Sequence, residues 1–240
     1  MKKILLSFSC ALLLTTALFA QDSTRTVRRR PVIDQNRAND HFLLQLGLTN
    51  WAGKPDSIQT SGFSHSFNVY FMFDFPFKTN PHLSMAFGPG IASDHIILKK
   101  TYVGIKENSS ILQFTDQSDT THFKKTKLVT AWLEAPVEFR YNSDPSGLGF
   151  KFAFGAKVGT LINVHTRNKD LQDKNNTALN SYTMKESSKR FFNGNRLSLM
   201  ARIGYGHFTV FGTYQVTTLL KEGKGADMRP YSIGLTLSGL

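Results

Sequence analysis

From Phe42 onward the chain alternates apolar and polar side chains with a period of two. In the first such segment Phe42, Leu44, Leu46 and Leu48 share one face, and Gln45, Gly47 and Thr49 share the other. Helical spacing does not fit; this is the period of a strand with one apolar face. Comparable segments recur to the C-terminus, and the connections between them alternate in length. Three are tight: Lys78-Thr79-Asn80, Asn142 to Gly147, and Tyr205-Gly206. Four are long and polar, at roughly 51–65, 94–127, 164–195 and 219–230. In small transmembrane barrels short turns lie on the periplasmic side and long loops outside. The pattern therefore predicts an all-β fold, an eight-stranded antiparallel up-and-down transmembrane β-barrel over residues 41–240. An even strand count returns both ends of the barrel to the same side.

Each tight turn implies a register, because antiparallel partners have residue numbers of constant sum. Closing around Lys78–Asn80 pairs Phe75 with Leu83, Phe73 with Met85 and Phe71 with Phe87 on one face. It pairs Asp74 with Ser84, Tyr70 with Gly88 and Asn68 with Gly90 on the other. The second hairpin joins segments 128–141 and 149–163, setting Phe139 against Phe152 outside and Glu134 against Lys157 inside, the latter as a cross-strand ion pair. Pro136 cannot donate to the ladder, so a bulge or local irregularity is expected there. The third sets Ile203 against Phe208 outside, and Arg202 against Thr209 and Arg196 against Gln215 inside. The last segment, from Tyr231, is expected to pair with the first and close the barrel.

These registers turn one apolar, Phe-rich face outward and a charged face inward. A basic residue at the bilayer midplane costs roughly 2–4 kcal/mol on the lipid face. Asp74, Glu134, Glu138, Lys157, Arg196 and Arg202 are accordingly assigned to a polar lumen network with a structural role. An eight-stranded barrel has room inside only for side chains, so a buried network is expected rather than a conductance path. The competing soluble reading, an exported lipocalin-like barrel, would turn its apolar residues toward a ligand cavity.

The N-terminus fits export. Lys2-Lys3 precede an apolar run from Ile4 to Leu14, and Ala20 closes the segment, which predicts a signal peptide over 1–20 cleaved after Ala20. Residues 21–40 are basic and aperiodic and are expected to form a flexible periplasmic tail. The single cysteine, Cys10, lies inside the signal, so the mature chain has no thiol chemistry. Net charge is +12, concentrated in the tail and the predicted loops, as at Lys99-Lys100 and Lys124-Lys125-Lys127. In an exported protein this favours anionic lipid or acidic surfaces over nucleic acid.

The segments Leu133-Glu134-Ala135-Pro136-Val137-Glu138-Phe139-Arg140-Tyr141 and Gly155-Ala156-Lys157-Val158-Gly159, with the ending Tyr231-Ser232-Ile233-Gly234-Leu235-Thr236-Leu237, carry a family resemblance. Over about Phe42 to Leu240 the chain resembles the bacterial outer-membrane β-barrel family that includes PorT-like proteins of the Bacteroidetes. The resemblance implies an integral outer-membrane protein, and PorT-like members are associated with protein secretion across the outer membrane. A structural or interaction role as an accessory of secretion or envelope assembly is the expectation, with outer-membrane lipid and envelope or secretion proteins as partners through loops 94–127 and 164–195.

The rival chemistry is a lipid-modifying site of Ser, His and acid near the outer rim. His65, His95, His122 and His165 are available, with Ser93 and Asp94 beside His95. Neighbours on a strand point to opposite faces, so Asp94 and His95 are not expected to share a site. The histidines show no metal-ligand spacing on one element. No enzyme activity, cofactor or metal is expected.

Overall fold

The computed structural model describes residues 41–144 and 148–239. The expected signal peptide and basic tail lie outside the described residues, as does part of the second tight turn, 145–147. Among the described residues there are thirteen strands: β1 (Phe42–Ala52), β2 (His65–Phe71), β3 (Phe73–Phe77), β4 (Asn80–Phe87), β5 (Gly90–Leu98), β6 (Thr101–Val103), β7 (Phe114–Asp116), β8 (His122–Asn142), β9 (Phe150–Gln172), β10 (Ala178–Ser187), β11 (Asn195–Tyr205), β12 (Phe208–Gln215) and β13 (Arg229–Ser238). Eleven form one sheet and β6–β7 a separate hairpin. Pairing runs β9–β11–β12–β13–β1–β2–β5–β8, and β8 pairs back onto β9. The predicted closure of last segment on first is the β1–β13 ladder, with Leu46 opposite Leu235.

All three registers are displaced by two residues from those the turns suggest. Phe73 meets Phe87 and Asp74 meets Ala86; Phe139 meets Phe154; Ile203 meets Val210 and Arg202 meets Phe211. The cause lies in the turns. Phe77 pairs with Asn80 around Lys78-Thr79, and Pro81, His82 and Leu83 are then passed before Ser84 meets Pro76, which has no N–H to hold a regular ladder. At the third turn Tyr205 pairs with Phe208, so the loop is Gly206-His207, with Gly206 at φ 56°. That left-handed geometry suits a two-residue hairpin. Because each displacement is even, the side chains between these turns and the shift at Ala131 keep their predicted faces. Tyr70 now lies opposite Gly90. A Cβ there would stand 2.1 Å from the Tyr70 ring, so the glycine makes the space that the ring fills.

The irregularity expected at Pro136 falls elsewhere. β8 runs unbroken through Pro136, opposite Lys157, and the interruption is in the facing strand, where Gly88-Pro89 separates β4 from β5. The β8–β9 ladder shifts instead between Ala131 and Trp132, where β9 accommodates Ile162 as an extra residue. Regions 94–127 and 164–195 are also more regular than expected. They contain the ends of β5 and β9, the starts of β8, the β6–β7 hairpin and all of β10. Beyond the apolar zone outward side chains need not be apolar, so pairing continues where alternation stops.

Burial confirms one apolar outer face. Leu46, Phe67, Phe75, Phe87, Ile91, Leu133, Phe154, Val158, Leu199, Ile203, Val210 and Leu235 are all exposed. A soluble monomer rarely exposes contiguous apolar area beyond a few hundred Å², and a lipocalin-like barrel would bury these residues. The interior is divided. Toward the turns it is largely polar, with Gln45, Asn68, Ser84, Thr236 and Ser238 buried beside a small apolar cluster of Leu43, Tyr70, Met72 and Ala86. Toward the long connections it is filled by an apolar cluster that includes Trp51, Ile96, Leu128, Trp132, Val164, Phe191, Phe192, Leu219 and Met228.

Candidate functional site

Period-two alternation sends Glu134 and Glu138 of β8 inward, and the same parity brings Lys157 of β9 and Arg196 and Arg202 of β11 to meet them. They sort into two groups. In the first, Glu134 accepts a hydrogen bond from Arg196 Nε at 2.6 Å and one from the Tyr70 hydroxyl at 2.5 Å. Lys157 Nζ stands 3.2 Å from the same carboxylate and donates to Tyr70 Oη at 3.1 Å. Arg196 Nη1 reaches Asp94 at 2.7 Å, and its guanidinium lies over Trp132, 4.4 Å from the ring centroid. In the second, Glu138 accepts from Arg202 Nη2 at 2.8 Å and from Arg140 Nε at 2.7 Å. Arg140 Nη1 lies 3.5 Å from Asp74.

Each group holds two carboxylates and two cations. Isolated burial of any one would cost several kcal/mol, whereas Glu134, Glu138, Lys157, Arg196 and Arg202 are all at most 5% exposed here within neutral sets. The first group ties five strands, β2, β5, β8, β9 and β11, across the interior. The Glu134–Lys157 pair is diagonal, since Glu134 opposes Gly159 and Lys157 opposes Pro136. Glycine at 159 leaves the room, as a Cβ there would be 3.0 Å from Glu134 Cγ.

The structure thus places all six anticipated lumen residues inside and divides them, Glu134, Lys157 and Arg196 from Asp74, Glu138 and Arg202. Sequence reasoning missed Tyr70, Asp94 and Arg140 as partners. Arg140 shares the parity of Glu138 and was within reach of that rule. Asp94 begins the predicted loop 94–127, and only the extension of β5 to Leu98 shows that it faces inward. The cavity bounded by Asp94, Lys157, Arg196 and Gln215 measures ≈ 10 Å³, the space of about one water. On that side the groups brace the wall and leave no space for more than a water; a second cavity of ≈ 560 Å³ reaches Glu134 and Arg196 among Leu133, Val158 and Leu197.

Of the catalytic candidates, Ser93 and His95 meet but Asp94 does not join them. Ser93 Oγ lies 3.0 Å from His95 Nε2, and His95 stacks on His65 with centroids 4.8 Å apart. Asp94 points the other way, to Arg196, so it does not orient His95. His122 contacts Asn176 at 3.2 Å, and His165 contacts Asn163 at 3.4 Å. Among the described residues no three His, Cys, Asp or Glu side chains form a metal-holding group.

A family model agrees with this architecture. The model of the family described as "Outer membrane protein beta-barrel domain" matches residues 19–216. No curated protein matches the chain. Among solved structures, Ail, the attachment invasion locus protein of Yersinia pestis, is similar at 10% identity and a TM-score of 0.32, covering 82% of this chain and 95% of that one. With its closed run of antiparallel pairings, apolar outer face and charged interior, the chain belongs to the outer membrane protein β-barrel domain family, whose place is the bacterial outer membrane.

Proposed function

We propose that the protein is a sealed, eight-stranded transmembrane barrel that acts through its surface-exposed loops as a structural or interaction component of the envelope. The count takes β2 with β3, and β4 with β5, as single strands interrupted near Met72 and at Gly88-Pro89; β6, β7 and β10 belong to the loops. The chain enters the envelope by a signal peptide cleaved after Ala20, and the tight turns face the periplasm. The observation that carries the reading is the double closure of the interior, two charge-neutral groups below and the apolar cluster around Trp132, Phe191 and Phe192 above. A conducting or substrate-processing lumen would need the space these side chains occupy.

The loops are cross-tied rather than separate. Leu112 N donates to Lys224 O at 2.8 Å, Lys221 N to Phe191 O at 2.9 Å, and Asn193 Nδ2 to Leu220 O at 2.8 Å. Such a cap offers a fixed surface to a partner at little cost in ordering. The PorT-like resemblance of the wall segments favours a partner in protein secretion or envelope assembly. The test is co-purification of crosslinked envelope partners with the intact protein and with versions lacking Thr101–Asp116 or Ala178–Ser187, alongside conductance in planar bilayers. Partners lost on loop deletion with no conductance support the reading; steady single-channel conductance of the intact protein would sink it.

A further inference from the structure

Above the apolar zone, the outward faces of β8, β9 and β10 carry cations directly opposite cations. Lys127 is paired with Arg167, and Arg167 in turn with Lys185; one step farther out Lys125 is paired with Lys169. Like charges facing across a ladder are destabilising. Among the described residues Lys125, Lys127 and Arg167 form no ion pair, and Lys169 has only Asp170 at 3.9 Å.

This wall is continuous with a cleft. A cavity of ≈ 180 Å³ is formed by Lys125, Lys127, Arg167 and Lys169, and a second of ≈ 720 Å³ shares Lys125 and Lys169 with it. The larger one adds Lys99, Lys100 and Lys124, against the single acid Asp170. Three non-glycine residues of the described chain have left-handed backbone, Lys100 (φ 46°), Asp170 (φ 53°) and Asn176 (φ 67°), and all three line this cavity. Such conformations persist where surrounding structure imposes them, often at ligand clamps. Phe63, 81% exposed, stands at the same cleft.

We infer that this cleft binds the phosphate groups of a phosphorylated lipid headgroup in the outer leaflet. The two cation rows, Lys127 with Arg167 and Lys125 with Lys169, lie two residues apart along each strand, about 7 Å at the usual strand rise. The site is therefore matched to two phosphates at about that spacing. A lipid rather than a soluble phosphate is favoured because the rows lie on the same outward face as Leu133 and Val158, farther along the same two strands. Lys127 stands six residues beyond Leu133, about 15 Å in height for a strand tilted by roughly 40°, which places it at headgroup level. The inference rests on the orientation proposed above, with the loops outside.

The test uses the full chain folded in neutral detergent, titrated with bisphosphorylated lipid A, with the same lipid freed of both phosphates, and with inositol hexakisphosphate. Binding is read by calorimetry and by the shift in thermal unfolding. The bisphosphorylated lipid should bind on the order of tenfold more tightly than either other probe. Replacing Lys125, Lys127, Arg167 and Lys169 by Thr should weaken it about fivefold per cation removed, at about 1 kcal/mol for each basic residue near an anionic surface. Without lipid the same variant should unfold at a higher temperature than the parent, since like-charge pairs have been removed; a merely structural role predicts the opposite. Should the fourfold variant misfold, Lys127→Thr and Arg167→Thr alone carry the same affinity comparison. Equal binding of the dephosphorylated lipid, or affinity unchanged by the substitutions, overturns the site. Equal or tighter binding of inositol hexakisphosphate overturns the lipid and assigns a soluble phosphate. Failure of the folded parent to show heat-modifiable mobility would instead count against the barrel reading.

Discussion

Glu134 shows how much one side chain does inside a barrel. It holds Arg196, Lys157 and Tyr70 at once, so its removal leaves two buried cations with Asp94 as the one remaining carboxylate of the group. Glu134→Ala should lower unfolding stability in detergent by roughly 3–5 kcal/mol. Lys157→Ala should cost less, because Arg196 and Tyr70 remain on the carboxylate. Adding Glu134→Gln to Lys157→Ala should give a total smaller than the sum of the single losses, the coupling of contacting groups being about 0.5–3 kcal/mol; strict additivity would remove the pairing. At Gly90 the limit is steric. Gly90→Ala drives a methyl into the Tyr70 ring and should destabilise by about 1–3 kcal/mol, measured in the same unfolding experiment.

At the scale of strands, the question is register. The second hairpin sets Phe139 opposite Phe154, their rings 5.5 Å apart, where the turn alone suggested Phe152. Cysteines discriminate, since a disulfide needs Cβ atoms about 3.5–4.5 Å apart and a diagonal neighbour is about 7–8 Å away. In a background lacking Cys10, Phe139→Cys with Phe154→Cys should crosslink on oxidation, and Phe139→Cys with Phe152→Cys should not. The closing ladder offers the same test with Leu46→Cys and Leu235→Cys. Crosslinking of the Phe152 pair in preference would mean that the turn and not the wall sets the register.

For the whole molecule, the relevant quantities are the sign of the outer surface and the closure of the interior. The exposed apolar face, from Leu46 round to Leu235, should make extraction depend on detergent and give heat-modifiable gel mobility. Full solubility of the exported chain without detergent would contradict that. The interior closes twice by different chemistry, charge pairing toward the turns and apolar packing toward the loops, with Trp132 stacked against Arg196 at the boundary. Opening one closure leaves the other. Removing the charge of Glu134 and Arg196 together should therefore cost stability without creating conductance in planar bilayers.

Much of this was legible along the chain. Period two assigned nearly every wall residue to its face, because a pleated strand next to lipid must alternate and the penalty for misplacing a charge there is large. It also collected Glu134, Glu138, Lys157, Arg196 and Arg202 on one side. Exact partners were not legible: a bulge after Pro76 or a turn beginning one residue later moves a register by two without changing any face. Nor was the outer third of the molecule. Above the apolar zone both faces of β8, β9 and β10 are polar, so alternation no longer marks a strand. The sequence by itself determined an apolar exterior and a charged interior, because a bilayer enforces that pattern locally, residue by residue. Only the tertiary structure decided that Asp94 meets Arg196, that the loops pack into an apolar closure, and that Lys125, Lys127, Arg167 and Lys169 converge. Those contacts join residues far apart in the chain, and closing the ring is what brings them together.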